Sequence, residues 1–434
     1  MAEKLVVACV QQRMRLPQTL DEHRSDLQRF MRAAQNKNAR LVVFPELAGL
    51  MLALPQLADF RSTLLKRADQ GRRRSATFFQ RMTGALSNRT ASLLRADLRN
   101  SIGGLLEIAA PEMWESYVGL YGELAREYGV TIVAPSAYLP DPFDGVIRNL
   151  AGIFGPSGEL LGTQAKVLLH PEDQDLAQAG SAWDVIQTDV GRIGLMLGSD
   201  VLYPEVGRLL AYQGAEMLIC QGACPDAALY NKIRAGMLAR MQDNQLFGMV
   251  SFLVGSNELS RRQRNPYMGK SAIFAPQELT PRFSGVLVEM GNQRSEGVLT
   301  ADWDFAELRQ LWDTSDTPVR QQLPPRQLSK LMATLYARLQ DADYPKLAAD
   351  TPSQEVKAVP ALQSLDDLAV LASVTSKWPL PSLGPDNGII DEEWVDISTW
   401  RAEEADGNRR RPSSVATDDE TDEMDALPSV PQDE

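Results

Sequence analysis

The sequence predicts an α/β protein, on three observations. Short β-branched runs such as KLVVACV and RLVVF flank a segment whose apolar residues recur at helical spacing. The same two patterns alternate along most of the chain before closing in consecutive strands. The 434 residues are 44% hydrophobic and 23% charged, which supplies apolar side chains for one large core or two smaller ones. Collagen, coiled coil and wholesale disorder are excluded.

The opening reads strand, helix, strand. Between the two β-branched runs lies DEHRSDLQRFMRAAQNKN, with Leu27, Phe30, Met31 and Ala34 on one helical face. A helix at VGLYGELAREYG and a strand at VTIVA follow, then strands NLAGIFG and ELLGTQAKVLL joined by a Pro-Ser-Gly turn. RIGLMLG is a strand, PEVGRLLAYQG a helix and EMLICQG a strand, followed by a long helix over about Ala227 to Phe247. Strands return at GMVSFLVG, GKSAIFAP, SGVLVEM and EGVLTADW, and helices at FAELRQLW and RQLSKLMATLYARLQ.

Charge divides the chain unevenly. Of the net charge of -13, residues 341–434 carry 22 acidic and 7 basic side chains, so the preceding residues are close to neutral. That acidic stretch, with RRRPSSVATDDETDEMDALPSVPQDE at its end, has too few apolar residues to offset chain entropy and reads as disordered. The expected organisation is therefore one domain over 1–343 and a largely disordered acidic tail over 344–434. Three cysteines and two histidines are too few for a disulfide framework or a Cys/His zinc cluster, so no metal is expected. No apolar run approaches the roughly 20 residues of a transmembrane helix, and the N-terminus lacks a signal-peptide pattern, so the expected location is cytoplasmic.

Three segments place polar groups at the ends of buried-looking strands, where α/β proteins build sites. They are VVFPELAG, GTQAKVLLHPE and GRIGLMLGSDVLYPEVGRLLAYQGAEMLI. Together with NLAGIFGPSGELLG, RMQDNQLFGMVSFLVG, GKSAIFAP and EGVLTADWDFAELR, in this order, they resemble the nitrilase or carbon-nitrogen hydrolase superfamily over roughly residues 4–312. The resemblance implies a four-layer αββα sandwich, assembly as a homodimer or higher homo-oligomer, no cofactor, and a cysteine nucleophile served by a glutamate and a lysine. It places Glu46 at the general-base position, Lys166 at the oxyanion-stabilising position and Glu172 as a second glutamate. Acyl transfer needs all three kinds of group: an attacking thiolate, a proton-shuttling carboxylate and a cation for the developing negative charge.

One role is vacant. After the apolar strand and six residues before the Pro-Glu pair, where the family has its cysteine, this sequence has Gly198, followed by Ser199. Glycine has no side chain with which to attack a carbon. Cys220, at the end of EMLICQG, is the candidate substitute nucleophile, and Cys224 follows in a loop. Covalent catalysis demands placement within a fraction of an ångström, which a thiol on a neighbouring strand rarely meets.

A second departure is an insertion over about residues 51–116, expected to be basic and helical. Residues 61–100 hold ten basic side chains against Asp69 and Asp97, a charge pattern suited to an acidic partner, nucleic acid, a membrane surface or the chain's own tail, or to a plain solvated helical face. The leading expectation is a nitrilase-like protein without covalent catalysis, keeping a small amide or carboxylate ligand in a binding, regulatory or oligomeric role. One alternative is an active amidohydrolase that cleaves an amide, carbamoyl amine or nitrile with a non-standard nucleophile. Another is a scaffold acting through the insertion and tail.

Overall fold

Strand β1 (Lys4–Met14) organises the fold because it belongs to two sheets. Its residues Val7–Cys9 pair in parallel with β2 (Leu41–Val43), while Lys4–Gln11 pair antiparallel with β13 (Gly297–Asp304). Its last residues, Gln12–Met14, leave that sheet and pair in parallel with β10 (Phe247–Gly255). The computed structural model describes residues 3–53, 55, 98–171, 173–257 and 265–322, all within one compact unit, Met1–Ala342.

The first sheet runs outward from β1 through β2, β3 (Thr131–Val133), β5 (Ile147–Phe154) and β4 (Ala137–Pro140), with β6 (Leu160–Ala165) also on β5. The second is centred on β10. On one side lie β9 (Met217–Ala223), β8 (Gly191–Leu197) and β7 (Val185–Thr188), and on the other β11 (Ala272–Phe274) and β12 (Val286–Glu289).

Alternation along the strands sorts apolar side chains into three clusters. Leu5, Val7 and Cys9 meet Ile193, Leu195 and Ile219 between the two sheets. Ala8 and Val10 point the other way, onto helices α1 (Leu20–Gln35) and α2 (Leu98–Tyr128). Met196, Leu218 and Val250 leave the second sheet toward helices α3 (Pro204–Tyr212) and α4 (Ala227–Asn244). The order helix, sheet, sheet, helix is the αββα sandwich implied by the resemblance. Full burial of one such aliphatic or aromatic side chain stabilises the fold by about 1.5–3 kcal/mol.

The helices start where their capping residues stand. The Thr19 hydroxyl accepts the Glu22 N–H ahead of α1 at 3.1 Å, and the Asp226 carboxylate accepts the Leu229 N–H ahead of α4 at 2.8 Å. After β13, α5 (Phe305–Thr314) and the short α6 (Val319–Gln322) end the described chain.

Several sequence expectations need correction. Helix α2 begins at Leu98, not near Val118, and carries Pro111 inside it. The long helix α4 stops at Asn244, because Gln245 takes a left-handed backbone with φ 47° and Phe247 already belongs to β10. Strands β4 and β7 went unanticipated. The insertion's residues 56–97, the helix expected at RQLSKLMATLYARLQ and the acidic tail lie outside the described residues. Among those described, no helix is long and apolar enough to cross a membrane.

Candidate active site

Polar side chains converge where β2, β6, β8 and β9 end. Just past β2, the chain turns sharply at Leu47, whose φ of 60° is unusual for a branched side chain. The Leu47 N–H donates to the Ser136 hydroxyl at 3.0 Å, which holds the turn and directs Glu46 inward. Beneath it, the Gln221 amide of β9 donates to the carbonyls of Phe44 at 2.8 Å and Ala134 at 2.7 Å, tying the two sheets together.

Lys166 follows β6 directly, and its ammonium is shared between two carboxylates. Nζ lies 2.9 Å from Glu46 Oε1 and 2.8 Å from Asp173 Oδ2. Glu46 Oε1 also accepts the Asn149 amide at 3.1 Å, and Oε2 accepts the Ala223 N–H at 3.1 Å. Asp173 accepts the Tyr138 hydroxyl at 2.7 Å and the His170 N–H at 3.1 Å. All three members of the triad are buried.

Burial and charge act differently on the three. Burial raises the pKa of Glu46, an effect that nearby Lys166 only partly reverses. For Asp173 the same burial is outweighed by Lys166 and by its hydrogen bonds, so its pKa falls. Burial opposes the charged form of Lys166, but the attraction of Glu46 and Asp173 wins and its pKa rises. Lys166 therefore pairs with both carboxylates, and of the two only Asp173 is held below its ordinary range.

Gly198 follows β8 directly and stands against this triad, with φ 51°. A β-carbon placed on it would lie 2.8 Å from Glu46 Oε2, 3.1 Å from Oε1 and 3.2 Å from Lys166 Nζ. Two residues on, the buried Asp200 carboxylate accepts the Leu168 N–H at 2.9 Å, fastening the segment after Lys166 to the Gly198 turn. The pocket above leaves about 40 Å³ to the centres of water-sized molecules and is partly open to solvent. Glu46, Lys166, Asp173, Gly198 and Ser199 line it, together with the apolar Leu47, Pro225, Leu229 and Ile233.

Three of the sequence candidates, Glu46, Lys166 and Gly198, thus come together. Glu172 lies outside the described residues, and the acid on Lys166 is its neighbour Asp173, which sequence reasoning passed over. Cys220 is not brought to the pocket. Its side chain is fully buried with Met196, Leu210 and Met237 on the helix side of the second sheet, and Cys224 belongs to the same cluster. Burial raises both thiol pKa values well above normal, which keeps them protonated. Asn149, Tyr138 and Asp200 were also missed, although Asp200 stands in plain view in the LGSD segment.

The carbon-nitrogen hydrolase family model matches residues 6–312, and the chain belongs to that family. A probable hydrolase of Bacillus subtilis, YhcX, is 29% identical over 200 residues, 46% of this chain, and the chain spans 38% of that relative's length. The omega-amidase NIT2 of Xenopus tropicalis is 23% identical over 211 residues, covering 46% of this chain and 70% of the relative. Among solved structures, a carbon-nitrogen hydrolase from Helicobacter pylori superposes with a TM-score of 0.54 at 18% identity. That alignment covers 78% of this chain and 99% of the other. Yeast Nit3, of the nitrilase superfamily, gives a TM-score of 0.50 at 18% identity over 72% of this chain and 94% of its own.

Proposed function

We propose that this family member binds a small amide or carboxylate in the Glu46–Lys166 pocket without forming an acyl-enzyme. The observation that carries the reading is a glycine at the point where the Glu46 carboxylate and Lys166 ammonium converge. In the family's chemistry that point belongs to the attacking thiol. Glu46 then stands at the general-base position, Lys166 at the oxyanion position, Asp173 as the acid that fixes Lys166, and Gly198 at the vacated nucleophile position.

Chemistry supports binding over turnover. A carboxylate and an ammonium side by side present an acceptor and a donor to an amide, and apolar Leu47, Pro225, Leu229 and Ile233 line the same pocket. Covalent acyl transfer still lacks its attacking atom. The alternative of a working amidohydrolase with a relocated thiol is disfavoured by Cys220, which is fully buried outside the pocket lining.

Calorimetric titration of the full chain with butyramide and butyrate tests the binding half of the reading. Saturable binding of either that is lost in Glu46→Gln is the expected result. No binding of either, or equal binding by Glu46→Gln, would contradict it.

A further inference from the structure

At the far end of β8 from Gly198, two arginines from separate elements, Arg208 and Arg320, meet the C-terminal end of α4, and a third, Arg192, stands beside Glu216 just before β9. Arg208 of α3 donates through Nη2 to the Asp243 carbonyl at 2.6 Å, and Arg320 of α6 through Nη1 to the Asn244 carbonyl at 3.1 Å. Cations at a helix C-terminus are expected, since the last carbonyls there lack intrahelical partners. Capping leaves much of this cluster unexplained.

Arg208 Nη1 is shielded from solvent and has no hydrogen-bond partner. A buried guanidinium nitrogen without an acceptor is costly, and few native groups are left so. Aromatic rings hold the arginines in place: Arg208 lies 5.6 Å from the centre of the Tyr212 ring, and Arg320 4.2 Å from that of Trp312. Arg192, near the start of β8, completes the group. Its Nη1 is 3.3 Å from where a β-carbon on Gly214 would sit, two residues beyond Tyr212.

Positive charge is in excess. Glu216 Oε2 stands 3.6 Å from Arg192 Nε, too far for a good hydrogen bond, and the Arg192 side chain is 46% exposed. The Asp243 carboxylate is taken by Arg240 at 2.8 Å. Among these contacts of the described residues, four guanidinium groups meet two carboxylates. Burial, joined by repulsion from Arg208 and Arg192, lowers the pKa of Arg320.

We propose that Arg192, Arg208 and Arg320 form a binding site for a tetrahedral oxyanion of the phosphate class, as the free ion or as a phosphate ester. Planar guanidinium forks match phosphate oxygens, and an anion here would give the stranded Arg208 nitrogen an acceptor. Arg192 lies near the start of β8 and Gly198 just past its end, a strand length of roughly 17 Å, so this site is separate from the Glu46 pocket.

The test is calorimetric titration of the full chain with inorganic phosphate, ionic strength being held constant with chloride. Saturable phosphate binding is expected, weakened about tenfold or more in Arg192→Gln and in Arg320→Gln but unchanged in Arg24→Gln, a surface arginine on α1. Arg192 is half exposed, so its variant keeps the fold and the result stays readable if Arg320→Gln unfolds. A nucleoside monophosphate binding more tightly than phosphate assigns an ester ligand, and equal affinity assigns the free ion. Phosphate binding no better than chloride, or unaltered binding by Arg192→Gln, would overturn the proposal.

Discussion

Glu46 Oε2 lies 2.8 Å from the point that a β-carbon on Gly198 would occupy, closer than carboxylate and carbon can approach without a shift. Glu46 is held by Lys166, Asn149 and the Ala223 N–H, so it cannot retreat freely. Glycine also meets the backbone requirement, because φ 51° is a left-handed conformation that side-chain-bearing residues resist.

Gly198→Ala is therefore expected to destabilise the chain by about 1–3 kcal/mol. Urea unfolding measures it, with Gly119→Ala in α2 as a contrast. Open space surrounds Gly119, and alanine there is expected to stabilise by about 1 kcal/mol. Equal stability of Gly198→Ala and the native chain would mean that the crowding at Gly198 is not real.

Removing the cation from the triad should be worse. Lys166→Met leaves the Glu46 and Asp173 carboxylates buried without their shared partner, with an expected loss of about 3–5 kcal/mol. Adding Asp173→Asn should recover part of that loss, because one of the stranded charges is then gone. Additive losses in the double variant would contradict a shared ion pair.

Much of this arrangement was legible in the sequence. Residues Leu27, Phe30, Met31 and Ala34 of α1 fall on the buried face that their spacing predicts. Glu46, Lys166 and Gly198 each stand just past a strand, in the segments that carry the family resemblance, and it is that resemblance that singled them out. Asp173 was not legible, since it acts through a turn that brings it back on Lys166, and neither spacing nor periodicity encodes that return. Cys220 shows the limit of reading a continuous apolar run: EMLICQG gives no alternation to say which residue faces which way. In the structure Gln221 points toward the first sheet and Cys220 toward the helices. Strands β4 and β7 have four residues each, too short for a pattern to stand out.

His23 gives the fold a pH dependence. Buried on the inner face of α1, it has its pKa lowered from 6.5 to about 4 by desolvation. Between those values the unfolded chain binds a proton that the folded chain refuses, so stability falls as pH drops through this window. The expected contribution is about 2–4 kcal/mol between pH 7 and pH 4. His23→Phe should flatten that limb in urea unfolding followed from pH 7 to pH 4. An unchanged slope would place the acid sensitivity elsewhere.

The three cysteines should be silent toward thiol reagents. Cys9, Cys220 and Cys224 are all buried, and burial raises all three thiol pKa values. Iodoacetamide at neutral pH is expected to leave the native chain unlabelled and to modify all three sites in urea. Prompt labelling of Cys220 under native conditions would reopen its candidacy as a nucleophile.

If Gly198 leaves the site without an attacking atom, as proposed, ammonia release is the direct readout. A panel of small amides, carbamoyl amines and nitriles would be offered to the native chain and to Gly198→Cys. The native chain is expected to release no ammonia above background, while Gly198→Cys gains turnover that Glu46→Gln abolishes. Turnover by the native chain, removed by Glu46→Gln, would contradict the account and require an attacking group other than residue 198.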